Sequence, residues 1–105
     1  MTTPTAPLIL FDDDHYMYVF EDQASAEAGW EMPDEFTVGF DAPARPLSMT
    51  GEPLDVRLAL AGEAPEEAEL RRLVADHCRG HLRGQVPPQA TALADFVAAL
   101  PREGR

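Results

Sequence analysis

The chain has 105 residues, 45% of them hydrophobic, which fits one globular domain with a single core. Nineteen acids against eight bases give a formal net charge of −11, and residues 1–44 cannot supply the basic patch that phosphate contacts need, so direct nucleic-acid binding is not expected. No apolar run reaches the roughly 18 residues of a membrane span, the first residues lack a secretory signal, and a lone cysteine forms no intrachain disulfide. We therefore expect a cytoplasmic protein that does not enter membranes.

The first predicted element is a hairpin. Residues 8–11 form a short apolar run, and residues 15–20 alternate between two faces. Between these two strand-like runs lie the turn-favouring Asp12, Asp13 and Asp14, which predicts that the strands are joined by a tight acidic turn.

A helix and three further strands are predicted next. Asp22 is suited to cap a helix that extends to about Trp30, because a short carboxylate accepts hydrogen bonds from the free amides of a first turn. Alternation over residues 35–40 predicts a strand with one apolar side, formed by Phe36, Val38 and Phe40. Residues 46–49 predict the returning strand and residues 50–53 a turn. The clearest strand follows, with strict alternation of Leu54, Val56, Leu58 and Leu60.

Two helices complete the chain. The first is expected over residues 65–82, with Pro65 at its first position and apolar or histidine side chains at helical spacing: Leu70, Leu73, Val74, His77 and His81. The second is short and amphipathic, capped by Thr91, with Leu93, Phe96, Val97 and Leu100 on one side.

The predicted order is therefore β-β-α-β-β-β-α-α. Short links between strands favour an antiparallel sheet of about five strands with the helices packed on one face, which is an α+β fold. We expect residues 1–105 to form a single domain, ordered over about residues 7–100, with loose termini.

Metal, cofactor and catalytic sites are not expected. His77, Cys78 and His81 are close enough for a zinc site, but neither a second cysteine pair nor an HExxH motif completes the ligand set. The three aspartates lack the spacing of a calcium loop. The sequence contains no nucleophile elbow and no glycine-rich phosphate loop. Two carboxylates that converge only in space remain an open alternative.

Charge is distributed unevenly along the chain. Residues 1–44 carry ten acids and no base, whereas residues 45–105 carry nine acids and all eight arginines. This asymmetry predicts a basic protein partner attracted by long-range steering. The alternative is that the charge serves solubility or reflects acidic, arginine-rich codon usage across the source lineage. The candidate partner-binding residues lie in the acidic half: Asp12, Asp13, Asp14, Tyr16, Glu27, Trp30, Glu31 and Asp34. For the aromatic residues, the alternative is a place in the core.

A resemblance adds to this reading. It is carried by Tyr18-Val19-Phe20-Glu21-Asp22, Ala26-Glu27, Glu31, Asp34, Phe40-Asp41-Ala42 and Arg45-Pro46-Leu47. These segments resemble small acidic actinobacterial proteins of the immunity type, which neutralise the toxins of polymorphic toxin systems. The resemblance covers about 30 of the 105 residues. It implies a non-catalytic inhibitor that covers the active site of a basic toxin domain or enzyme. The alternatives are a DNA mimic or other regulator of a nucleic-acid enzyme, and a small-molecule sensor or small enzyme.

Overall fold

One antiparallel sheet organises the protein in the computed structural model, which describes residues 3–102. The strands are β1 (Leu8–Asp12), β2 (Met17–Phe20), β3 (Phe36–Phe40), β4 (Pro46–Glu52) and β5 (Asp55–Leu60). The helices are α1 (Gln23–Gly29), α2 (Glu67–His81) and α3 (Leu93–Ala98), with a 3-10 turn at Pro33–Glu35. The strand order across the sheet is β2-β1-β3-β4-β5. The predicted α+β class, element order and five-stranded sheet are confirmed. Of the termini expected to be loose outside residues 7–100, residues 1–2 and 103–105 lie outside the described residues.

The helices cover both faces of the sheet. On one face, Ile9 and Phe11 of β1 pack with the buried side chains of α2 and α3. On the other face, Leu8 and Leu10 pack with Ala26 of α1. The expectation of helices on one face therefore holds for α2 and α3, whereas α1 lies on the opposite side. The physical reason is the unbroken apolar run of β1, whose two sets of side chains both need cover.

A register shift in β3 corrects the predicted alternation of that strand. Phe11 pairs with Val38, but Asp12 pairs with Phe36, so Thr37 is an extra residue in the ladder. Val38 then packs with the α2 and α3 side chains, whereas Phe36 packs on the α1 side. The three apolar residues predicted to share one side are thus divided between the two faces.

The turn between β4 and β5 also differs from the prediction. β4 continues to Glu52, which pairs with Asp55, so Pro53 and Leu54 alone form the turn. Leu54, expected to begin the strand, has φ +65° and a side chain that is 79% exposed. Gly51 is required here, because its φ is +105° and a Cβ atom would clash with the carbonyl oxygen of Asp55.

Helix boundaries follow the predicted signals in part. Asp22 caps α1, accepting a hydrogen bond from the Ser25 amide at 2.7 Å as predicted. α2 begins at Glu67, two residues after Pro65, so the proline precedes the helix. α3 follows Ala92, which provides no side-chain cap, so Thr91 is not the capping residue. Within residues 3–102, every helix is too short or too polar to cross a membrane.

Helix side chains cap an amide on each outer strand. On β5, Glu27 Oε2 accepts from the Leu58 amide at 2.7 Å, and Gln23 Nε2 donates to the Leu58 carbonyl at 2.9 Å. On β2, the Met17 amide donates to Nδ1 of His77 at 3.1 Å. Backbone groups that an outer strand would otherwise present to solvent are thereby satisfied within the fold.

Candidate protein-binding surface

The acidic turn between β1 and β2 is built around Asp12. Oδ1 of Asp12 accepts from the amides of Asp14 and Tyr16, both at 2.9 Å, and Oδ2 accepts from the hydroxyl of Tyr18 at 3.1 Å. The Asp12 amide donates to the Tyr16 carbonyl at 3.2 Å, so residues 13–15 form a three-residue loop, in which His15 has φ +61°. Asp12 is buried because it organises this loop, while Asp13 and Asp14 project into solvent.

The end of α2 fixes the position of the same hairpin. His77 accepts from the Met17 amide, so its Nδ1 carries no proton. Nε2 of His81 lies 2.8 Å from the carbonyl oxygen of Asp14. The ring of Tyr16 contacts both imidazoles edge-on, at centroid distances of 4.6 Å and 5.1 Å. The hairpin therefore presents its carboxylates from a defined framework.

Two further segments reach the same end of the sheet. Asp12 pairs with Phe36, which places residues 31–35 beside the hairpin turn. The Leu54 amide donates to the carbonyl oxygen of Glu31 at 2.7 Å, which joins the β4–β5 turn to these residues. We call this surface, formed by residues 12–16, 31–35 and 52–55, the acidic end. Its exposed acids are Asp13, Asp14, Glu31, Asp34, Glu52 and Asp55.

The predicted partner-binding residues are only partly brought together. Asp13, Asp14, Glu31 and Asp34 are exposed at the acidic end, with Asp12 buried beneath and Tyr16 half-buried beside them. Glu27 lies on α1, where its carboxylate binds β5. Trp30 is 1% exposed, and its indole Nε1 donates to the Met32 carbonyl at 3.0 Å. Trp30 is thus a core residue, in agreement with the alternative given for the aromatic side chains.

Two exposed apolar residues of the acidic end were missed. Met32 is 36% exposed and Leu54 is 79% exposed. Met32 follows the helix predicted to end at about Trp30, and Leu54 is predicted to lie on the apolar side of a strand. No local signal distinguishes Leu54 from the alternating residues that follow it, because Gly51-Glu52-Pro53 is itself a typical turn sequence.

A buried ion pair lies at the opposite end of the sheet. Asp41 is fully buried, and Oδ2 accepts from Nη2 and Nε of Arg45 at 2.7 Å and 2.9 Å. The same oxygen accepts from the Thr5 amide at 3.0 Å, and the Thr5 carbonyl accepts from the Ala42 amide at 2.8 Å. Thr5 belongs to the segment expected to be loose. Asp41 and Arg45, which belong to the segments that carry the resemblance, therefore hold the β3–β4 turn and the N-terminal segment together.

Metal-ligating side chains converge at one place within residues 3–102. Carboxylate oxygens of Asp12, Asp13 and Asp14 lie within 4.8 Å of one another, but both oxygens of Asp12 already accept hydrogen bonds in the turn. His77, Cys78 and His81 form no such group. Burial raises the pKa of the Cys78 thiol, so the protonated, unreactive form is favoured at neutral pH.

Two open grooves offer little for catalysis. One, of about 510 Å³, follows the outer side of β5 and is lined by residues that include Gln23, Leu60 and Glu63. The other, of about 490 Å³, lies between residues 42–43 and α3, and Arg102 is its charged residue. Neither groove brings two carboxylates together, and the acidic end lies outside both.

Comparison of the chain with models of protein families, with curated proteins and with solved structures finds no match.

Proposed function

We propose that this protein is a non-catalytic inhibitor of the toxin-immunity type, which docks its acidic end on a basic toxin domain or enzyme and covers the active site. The observation that carries the proposal is the grouping of exposed carboxylates at one end of the sheet. Six exposed carboxylates project from three segments that backbone hydrogen bonds and strand pairing join to one another. Such a surface attracts a basic partner and fixes its orientation.

Two arginines near the acidic end form ion pairs with carboxylates. Arg57 lies 3.0 Å from Asp55, and both side chains are exposed. On α2, whose end holds the hairpin, Arg79 pairs with Asp76. The segments from Asp13 to Asp34 contain no base besides His15, in the part of the chain that the structure describes. A cationic partner therefore meets carboxylates without competing arginines on these segments.

The arrangement favours an inhibitor over a DNA mimic. A DNA mimic requires acids at regular intervals along an elongated surface, so that carboxylates imitate successive phosphates. Here the exposed acids of the N-terminal half gather largely around one hairpin turn and the neighbouring residues 31–35. Grouped charge of this kind suits a single docking site.

The proposal is tested by capturing the partner and measuring its activity. The immobilised chain is incubated at low salt with a lysate of its source cells, and bound protein is eluted by raising the ionic strength. The activity of the identified protein is then measured with and without the chain. We expect a basic enzyme that loses its activity at equimolar inhibitor. Binding that leaves every activity of the captured protein unchanged would contradict inhibition.

Two charge-matched variants locate the docking surface. Asp13→Asn with Asp34→Asn removes two charges from the acidic end, and Glu63→Gln with Glu66→Gln removes two exposed charges beyond the other end of β5. At 0.15 M salt, screening limits steering to about 8 Å. We expect stopped-flow association to slow and lose salt dependence in the first variant alone. Equal slowing in both would mean that only net charge matters.

A further inference from the structure

Leu54 is an unusual residue for the position it occupies. Pro53 precedes it, and a proline followed by a residue of positive φ is the pattern of a type II turn, in which glycine or asparagine is favoured at the second position. Leu54 adopts φ +65° there, and its side chain is 79% exposed. The side chain therefore adds little to the core while it occupies a backbone conformation that disfavours leucine. Such residues cluster at ligand contacts.

Met32 follows the residue that is hydrogen-bonded to Leu54, and its own backbone is also held. The Met32 carbonyl accepts from the Trp30 indole at 3.0 Å and from the Glu35 amide at 3.1 Å. The Leu54 amide binds the carbonyl of Glu31, the residue before Met32. Both exposed apolar side chains thus project from fixed main chain, which lowers the entropy lost when they are covered.

We propose that Leu54 and Met32 are the apolar anchors of the acidic end, and that they recognise a cationic protein segment carrying apolar side chains between its lysines or arginines. The inference rests on the proposed function and names the chemistry of the partner. Exposed carboxylates flank the two anchors: Glu31, Asp34, Glu52 and Asp55. Apolar contact at the centre with charge at the rim is the common anatomy of protein interfaces.

Two synthetic peptides test the chemistry directly. Both have the same length and the same number of lysines, and the remaining positions are leucine in one and serine in the other. Binding to the full chain is measured by titration calorimetry, and NMR amide shifts locate the contact. We expect the leucine peptide to bind about tenfold more tightly, with shifts at residues 31–35 and 52–55.

A variant at the turn separates binding from folding. Leu54→Asn suits the left-handed backbone, so it should raise the midpoint of thermal unfolding by about 2–8 °C while abolishing the preference for the leucine peptide. Val86→Asn is the matched control, because Val86 is 75% exposed in the loop between α2 and α3, and the preference should survive there.

The possible results are distinguishable. If Leu54→Asn still prefers the leucine peptide, or if the wild type binds both peptides equally, Leu54 is not an apolar anchor. Docking by charge would then remain. Failure of both peptides to bind at low salt would overturn the anchor together with the proposed acidic docking surface.

Discussion

Replacing Asp41 with asparagine should strongly destabilise the fold. Asparagine keeps one side-chain oxygen, which can still accept from the backbone amide of Arg45. Its side-chain NH2 group replaces Oδ2 and faces the three donors that Oδ2 binds in the wild type: Nε and Nη2 of Arg45 and the backbone amide of Thr5. Two of these bonds come from a guanidinium, and each is worth about 1.5–3 kcal/mol. The Arg45 side chain is 14% exposed, so water relieves only part of the loss. We expect Asp41→Asn to lower the free energy of unfolding by about 3–5 kcal/mol.

Trp30 provides the assay for this prediction. It is the single tryptophan and is 1% exposed, so its fluorescence in a urea titration reports unfolding of the core. Arg45→Met and the double variant complete a thermodynamic cycle. Removing the buried charge as well should recover part of the loss, with a coupling energy of at least about 1 kcal/mol. A loss below about 1 kcal/mol for Asp41→Asn, or zero coupling, would refute the reasoning that this ion pair holds the two segments together.

Two further predictions concern the helices. Leu73 is 2% exposed in the cluster beneath α2, so Leu73→Ala should lower the free energy of unfolding by about 2–5 kcal/mol in urea, and a change under about 1 kcal/mol would mean that the site is not core. Two hydrogen bonds from Ser25 lower the pKa of Asp22 from its usual 3.8. The bond from the Ser25 backbone has the larger effect, and the bond from the Ser25 side chain has the smaller one. The stabilisation by Asp22 is therefore present above that usual value and lost as pH falls through the lower folded-state pKa. Urea midpoints of wild type and Asp22→Ala should differ at pH 7 and converge in acid, whereas a gap independent of pH would exclude this contribution.

Local signals accounted for much of the fold. Asp22 as a helix cap and the apolar spacing of Leu70, Leu73 and Val74 on α2 depend on neighbouring residues alone, and both are confirmed. Burial of β1 on both faces of the sheet also had a local signal. Residues 8–11 are apolar without alternation, which is the pattern of a strand buried on both sides. The strand is predicted from this run, but the position of α1 on its second face is not.

Features that depend on pairing between distant segments could not be predicted. The extra residue at Thr37 exists only relative to β1. The exposure of Leu54 depends on the register of β4 and β5, in which Glu52 pairs with Asp55 although residues 50–53 were predicted to be the turn. The acidic end was predicted as a set of acids from one half of the chain. Its contact with the β4–β5 turn, through the Leu54 amide and Glu31, required the folded structure.

The capped outer strands have a consequence for how copies of this chain meet. Exposed strand edges allow one molecule to add its sheet to the next, which is how fibrils grow. Here the Leu58 main chain is occupied by Gln23 and Glu27, and the Met17 amide by His77. A second molecule must displace these side chains before it can continue the ladder at either position. The protein can therefore accumulate to high concentration without polymerising through these positions.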